Sequence, residues 1–483
     1  MRRITAILLC LLLINHLTGC SDTSHQTGNS DISPKSEKST PTVSIESDEK
    51  SDQGIFFESL FLKYLLFVPS NFGNEYISGL KYQEGIDLWT KLQYDQAEKC
   101  LLTIEHEIET SKAEYPDDIA FVKEAIGCLY IDMARYDEAY DYLLDALIKL
   151  REIYGDKALY TNAVSMALCH YYYALGDYER CLKEIQTLRG NNSTDYIQDN
   201  HFAYLKLFIS VVLNDLEADI CFNQYIFSKA YNLYVDNLNR CMDFVSAEED
   251  ATFSSALEVD ALIALGDYCS TFTSDEKLCS LADTVYEKAL ALVEHYEGEY
   301  KEAKKAEILM KRGYFLCNFS DRADSANESM KQAMEIQEHL YETDATYPGL
   351  VESYRLYAEY LGFILRDGEG ADKYYQKAIK LCEQSYKHNH PETARIYESL
   401  GRYYGNRRRK YEEAAGYLRE GIEIYKNLII ENDPLVARMY LQLAGCCRLL
   451  GDEESCQEYL EKNKEIETKL GYSHLTTGDA KQN

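Results

Sequence analysis

At 483 residues with a formal net charge of −31, the chain is too long for one compact core and too acidic to favour nucleic acid or anionic lipid surfaces as partners. Only seven prolines occur, which suits long helices joined by short turns, and no alternating strand pattern is found. There is no Gly-rich phosphate loop, no nucleophile elbow and no metal-ligand spacing, so the chain reads as a binding protein and not an enzyme, with no cofactor and no metal.

The first element is a targeting segment. Arg2 and Arg3 precede an apolar run from Ile4 to Ile14, followed by Leu17-Thr18-Gly19-Cys20. A charged start, a short apolar stretch and a small-residue cleavage site make an export signal over residues 1–19, too short for the roughly 20 residues of a transmembrane helix. The last four residues resemble the lipobox of bacterial lipoproteins, which implies lipidation of Cys20. That places the chain at a bacterial cell envelope, held by lipid alone, and Ser21 resembles a residue permissive for sorting to the outer membrane in preference to the inner. Which side of the membrane it faces stays open. Residues 20–53 are Ser, Thr, Asp, Glu, Lys, Gly and Asn with few aliphatics, a composition expected of a flexible tether with a reach on the order of 30 Å.

From residue 54 to 470 the pattern turns helical and repetitive. Tyr94-Asp95-Gln96-Ala97, Tyr136-Asp137-Glu138-Ala139 and Tyr178-Glu179-Arg180-Cys181 recur every 42 residues. Gly127 precedes Ala139 by twelve residues, and Tyr130, Leu143 and Ala146 fall between and beyond them. Gly85 with Ala97, Cys169 with Cys181, Gly313 with Ala326, Ala358 with Ala371, Gly401 with Ala414 and Ala444 with Cys456 keep the frame with small insertions, and Gly266 with Ala282 keeps it across a longer turn. Small residues at these places allow two helices to cross closely. The frame fades at about 199–245, where a helix pair is expected at 199–213 and 216–238. Residues 471–483 form a tail.

This frame resembles the tetratricopeptide repeat, in the 42-residue form found in kinesin light chains. The resemblance implies an all-α, right-handed α-solenoid of about eight to nine antiparallel helix pairs. It also implies that the open concave face, lined by first helices, binds a protein or peptide.

Two sets of inner-face candidates follow from the frame. Arg355, Arg395, Arg402, Arg438 and Arg448, near Arg407-Arg408-Arg409-Lys410, could grip an acidic peptide, or could simply pair with Glu352, Glu359 and Glu398 at helical spacing. Tyr82, Trp89, Phe121 and Tyr173 could form a sugar-stacking platform, as in glycan-capturing surface lipoproteins that serve an outer-membrane transporter, or could be packing. His388 and His390 precede Pro391 in a connection and are read as structural. Setting aside Cys10 and Cys20 leaves thirteen of fifteen cysteines, an odd number; several occupy small-residue packing positions, and mostly free thiols are expected.

Overall fold

The computed structural model describes Leu66 and residues 76–470, apart from the connections 111–115, 193–199, 248–251, 343–348 and 387–388 and positions 297, 429 and 431. The expected export signal, the expected tether with Cys20, the expected C-terminal tail and His388 lie outside the described residues. Among the described residues there are eighteen α-helices and no strand. They form nine antiparallel pairs: α1 and α2 (Tyr76–Thr90, Tyr94–Thr110), α3 and α4 (Pro116–Asp132, Tyr136–Tyr154), α5 and α6 (Leu159–Ala174, Tyr178–Asn192), α7 and α8 (Asn200–Asn223, Phe227–Ala247), α9 and α10 (Thr252–Ser270, Glu276–Val293), α11 and α12 (Gly298–Leu316, Ala323–Glu342), α13 and α14 (Gly349–Glu359, Gly368–Ser385), α15 and α16 (Pro391–Tyr403, Tyr411–Asn427), and α17 and α18 (Pro434–Leu450, Glu453–Lys469). Each helix packs on its partner and on the next pair, which makes the assembly an α-solenoid.

The small residues of the frame sit where the two helices of a pair cross. A Cβ added to Gly127 would lie 2.7 Å from Leu143 Cγ, one on Gly401 2.5 Å from Leu418 Cγ, and one on Gly313 2.5 Å from Met330 Cγ. Ala97, Ala139, Cys181, Ala282, Ala326, Ala371, Ala414 and Cys456 are all fully buried opposite them. None of the thirteen described cysteines is paired, and ten are buried.

Five pairs share one turn. Leu92, Ala134, Gly176, Tyr225 and Gly451 take positive φ between 56° and 82°, and the residue after each donates its N–H to a carbonyl five residues back, as Arg135 does to Tyr130 O at 2.9 Å. This left-handed stop closes the orphan carbonyls of the first helix. In the seventh and eighth pairs the one-residue insertion widens the helix end into a π turn, over Tyr360–Leu365 and Tyr404–Arg408, and leaves the small-residue frame intact. The sixth pair absorbs its insertion as the 3-10 turn Ser320–Arg322. Helix starts are capped by Asp275, Asp367, His390, Asp433 and Asp452, with Pro391 and Pro434 in the first turn, where a missing N–H costs nothing.

The structure corrects the sequence reading in two places. First, the turn expected at 214–215 lies at 224–226, and α7 runs straight through Asn214 and Asp215. These polar residues mimic a loop in sequence but are held by Asn237, which donates to Asp215 Oδ1 at 2.7 Å and accepts from Asn214 at 2.9 Å. The frame does not fade there: Ala218 and Ala230, twelve apart, are fully buried, and Asn237 takes the second small position.

Second, the solenoid does not leave a simple open groove. Its ends meet: the ring of Tyr94 lies 5.6 Å from that of Tyr386, His390 Nε2 reaches Asp132 O at 3.0 Å, and Gly176 abuts the Asn432 carbonyl. The connections that follow the seventh and eighth pairs thus come back onto the turns of the first three.

Candidate functional site: the polar inner wall

The first helices face the inside of the closed turn. Three successive ones, α7, α9 and α11, with Tyr234 of α8, surround a cavity of about 460 Å³. Its wall is apolar and aromatic in part, with Phe222, Ile263 and Tyr268, and its floor carries Asp219, Asp260, Asp267, Glu307 and Lys311. Tyr268 anchors the wall: its ring lies 5.9 Å from Phe222 and 5.6 Å from Tyr234, and its hydroxyl donates to Phe227 O at 2.9 Å.

Lys311 Nζ lies 2.5 Å from Asp267 Oδ2, and the Tyr286 hydroxyl donates to Asp267 Oδ1 at 2.6 Å. Lys304 joins Asp260 at 2.9 Å and Glu307 at 3.0 Å. Asp219 accepts from the Tyr234 hydroxyl. Two ammonium groups therefore serve four carboxylates at the cavity, and Asp215, one helical turn before Asp219, is half-buried. Burial, reinforced by the charge of Asp219, pushes Asp215 up to about 8 against the opposing hydrogen bond from Asn237. Burial likewise raises Asp219 to about 6, with Asp267 adding to the shift and Tyr234 and Lys311 opposing it. Burial works against the charge of Lys311, but Asp267, Glu352 and Glu307 outweigh it and raise its pKa. Among the described residues no three His, Cys, Asp or Glu side chains converge to hold a metal ion.

From this cavity the charges continue round the wall. Lys311 is within electrostatic reach of Glu352 on α13, Arg395 on α15 of Glu352 and Asp433, and Asp433 of Tyr173 on α5, which in turn feels Asp219. Arg395 is 48% exposed even though charges from several elements surround it.

The sequence-derived arginines lie along this wall. Arg355 and Arg402, from adjacent first helices, converge on Glu359 at 2.8 and 2.5 Å. Glu359 is 1% exposed and also accepts from Ser399 at 2.5 Å and from the Tyr314 hydroxyl. Burial alone would raise its carboxyl, but the two guanidinium groups and the hydroxyls hold it at about 2. Arg438 lies 3.0 Å from Glu398, and Arg395 lies 3.6 Å from Glu392. Arg448 is exposed near the end of α17, apart from the Glu359 cluster. Each of the other four thus has a carboxylate of its own chain beside it. Arg407 and Arg408 turn back onto Phe363 O and Asp372.

The aromatic platform does not form. Tyr82, Trp89 and Phe121 are 0 to 2% exposed, within the packing between pairs, and offer no face to a sugar. Trp89 donates its indole N–H to Asp132 Oδ2 at 2.9 Å. Tyr173 is half-buried at the seam between the two ends of the chain.

The cavity carboxylates were not singled out from the sequence, although the signal was there. If Gly127 is position 8, Arg395, Arg355 and Arg402 stand at positions 2, 5 and 9, and the same positions in the fourth to sixth pairs hold Asp260 and Glu307, Asp215, and Asp219 and Asp267. The misplaced turn hid the fourth pair, and acidic residues in so acidic a chain pass for a solvated outer face.

Residues 349–427, covering the seventh and eighth pairs, match the family model described as the tetratricopeptide repeat. These two pairs are tetratricopeptide repeats. No curated protein matches the chain in sequence. Among solved structures, the tetratricopeptide helices resemble BtubC (BKLC) from P. vanneervenii, at 17% identity and a TM-score of 0.38 over 50% of this chain and 92% of that one. The apo quorum sensor NprR from B. thuringiensis aligns at 15% identity and a TM-score of 0.44 over 80% and 97%. Aspartyl phosphate phosphatase F from Bacillus subtilis aligns at 13% and 0.38 over 81% and 94%. At this distance they say nothing about ligands.

Proposed function

We propose that this chain is a lipid-anchored scaffold of a bacterial envelope that holds a protein or peptide on the inner wall of its tetratricopeptide solenoid. The observation that carries this reading is the cavity lined by first helices, with aromatic walls and more carboxylates than ammonium groups. Such a lining complements an extended segment with a lysine or arginine side chain, because a guest cation would offset carboxylates that burial now penalises. An acidic segment suits the wall less well, since Arg355, Arg395, Arg402 and Arg438 already stand beside carboxylates of the chain and would have to give them up. The anchor is supported by the residues leading to Cys20, and outer-membrane placement by Ser21.

The test is capture of partners by the full chain from its own envelope fraction. Charge reversal at Asp219 and Asp260 to Lys should abolish recovery, and reversal at Arg395 and Arg438 to Glu should not. The opposite pattern would replace the basic segment with an acidic one, and loss in neither would remove the inner wall as the binding face. For the anchor, Cys20→Ala should release the protein from membranes, and retention would exclude lipidation as the tether.

A further inference from the structure

The seam between the two ends of the solenoid is built from turns and connections. No helix of the first three pairs packs along a helix of the last two. At its centre is His390. Its Nδ1 accepts the N–H of Glu392 at 3.2 Å, so the ring proton sits on Nε2, which donates to the Asp132 carbonyl at 3.0 Å. The imidazole stacks on Tyr386 with ring centroids 4.0 Å apart and planes within 13°, and Tyr386 packs on Tyr94 at the start of α2. The carboxylate of the same Asp132 receives the indole N–H of Trp89. A second contact lies at Gly176, where an added Cβ would stand 2.5 Å from the Asn432 carbonyl oxygen. The third is Tyr173, within electrostatic reach of both Asp433, the cap of α17, and Asp219 in the cavity. One helical turn beyond Asp219, Asn223 donates to the Tyr178 hydroxyl at 3.1 Å.

Three features set this seam apart from the repeat-to-repeat packing. It is built from few contacts, these are polar and aromatic, and it joins pairs that are far from neighbours along the repeat. A solenoid whose pairs each shift slightly can part there without breaking any helix pair. Tyr173 also ties it to the cavity, since a cation arriving at Asp219 changes the field on a residue that Asp433 shares.

We propose that the seam is a latch: closed, it shuts the inner wall into a chamber, and its opening admits the peptide to the cavity. The second half of this proposal rests on the binding reading above; the first half does not. Rotating the last two pairs away from the first three would free the Asp132 carbonyl and the Tyr94 ring and open the chamber along its side. A peptide would then bind at a rate limited by the open population.

The only tryptophan, Trp89, donates to the carboxylate of Asp132, whose carbonyl His390 reaches, so its emission follows the seam. His390→Asn keeps an oxygen to cap Glu392 but cannot stack on Tyr386 or reach Asp132, and Tyr386→Ala removes the stack from the other side. With the full chain and unchanged circular dichroism, both variants should raise acrylamide quenching of Trp89 about threefold or more and lengthen the maximum dimension in X-ray scattering. The association rate of a fluorescent lysine-rich decapeptide should rise by a similar factor. Unchanged quenching and scattering in both variants would overturn the latch. A more open molecule that binds the peptide no faster would overturn the gating. A peptide that binds none of the proteins would count against the basic-segment reading alone, and quenching and scattering would still decide the latch.

Discussion

Gly176 and Gly451 occupy the same left-handed stop in the third and ninth pairs, at φ of 71° and 82°, but their surroundings differ. Around Gly451 an added Cβ meets nothing within 4 Å, whereas at Gly176 it meets the Asn432 carbonyl oxygen at 2.5 Å. Replacing either by Ala costs roughly 1–2 kcal/mol for the left-handed backbone and regains roughly 0.4–1 kcal/mol by restricting the unfolded chain, leaving a net loss of roughly 0–1.6 kcal/mol. Ala134 shows that the turn tolerates alanine. Gly451→Ala should show this backbone cost and nothing more. Gly176→Ala should add the penalty of forcing two backbones apart, about 1–3 kcal/mol for an overpacked contact. That addition has a ceiling, because the seam can open instead, and the variant can lose no more than the seam contributes. Urea unfolding followed by far-ultraviolet dichroism measures the first quantity, and Trp89 emission measures the second. The expected result is a larger midpoint shift for Gly176→Ala together with a red-shifted native tryptophan, and neither change in emission nor excess loss for Gly451→Ala. Equal losses with identical native emission would refute the claim that the ends of the solenoid press together.

Glu359→Gln removes the charge shared by Arg355 and Arg402 and should destabilise the seventh and eighth pairs by about 3–5 kcal/mol, read as early loss of protection in hydrogen exchange over 349–427. Because Glu359 is held at about 2, its contribution is complete above the unfolded carboxyl pKa of roughly 4.3 and is lost as pH falls toward 2; the wild-type advantage over the Gln variant should vanish across that window, and an advantage unchanged at pH 2 would be inconsistent with it. Asp215 behaves oppositely: pushed up to about 8, it binds a proton more tightly when folded, so stability falls as pH rises from roughly 4 to about 8. Asp215→Asn, which keeps the acceptor for Asn237, should raise the denaturation midpoint at pH 8 and leave it unchanged at pH 4; no gain at pH 8 would argue that the carboxyl is solvated. Cys382 is pushed up to about 12 by burial and is fully buried. A thiol reagent should therefore reach only the half-buried Cys100, Cys279 and Cys317 in the native protein, and fewer than about four reactive groups after denaturation would mean that the cysteines are paired after all.

The sequence determined the repeat unit, because close packing leaves a mark at fixed spacing: Gly127 opposite Leu143, or Gly401 opposite Leu418, admits no larger residue, and the constraint returns with every pair. It determined the helix stops where glycine supplies them, and the arginine–glutamate pairs within one helix, since Arg355 and Glu359 lie one turn apart. It misread Asn214-Asp215, whose polarity imitates a turn until Asn237, 22 residues beyond Asp215, comes across to satisfy it. It gave no sign that Tyr94 meets Tyr386 or that Asp132 meets His390 across 258 residues. Local spacing records what a helix must do beside its neighbour. Whether nine such steps bring the ends together depends on small rotations accumulated from pair to pair, and only the tertiary structure adds them up.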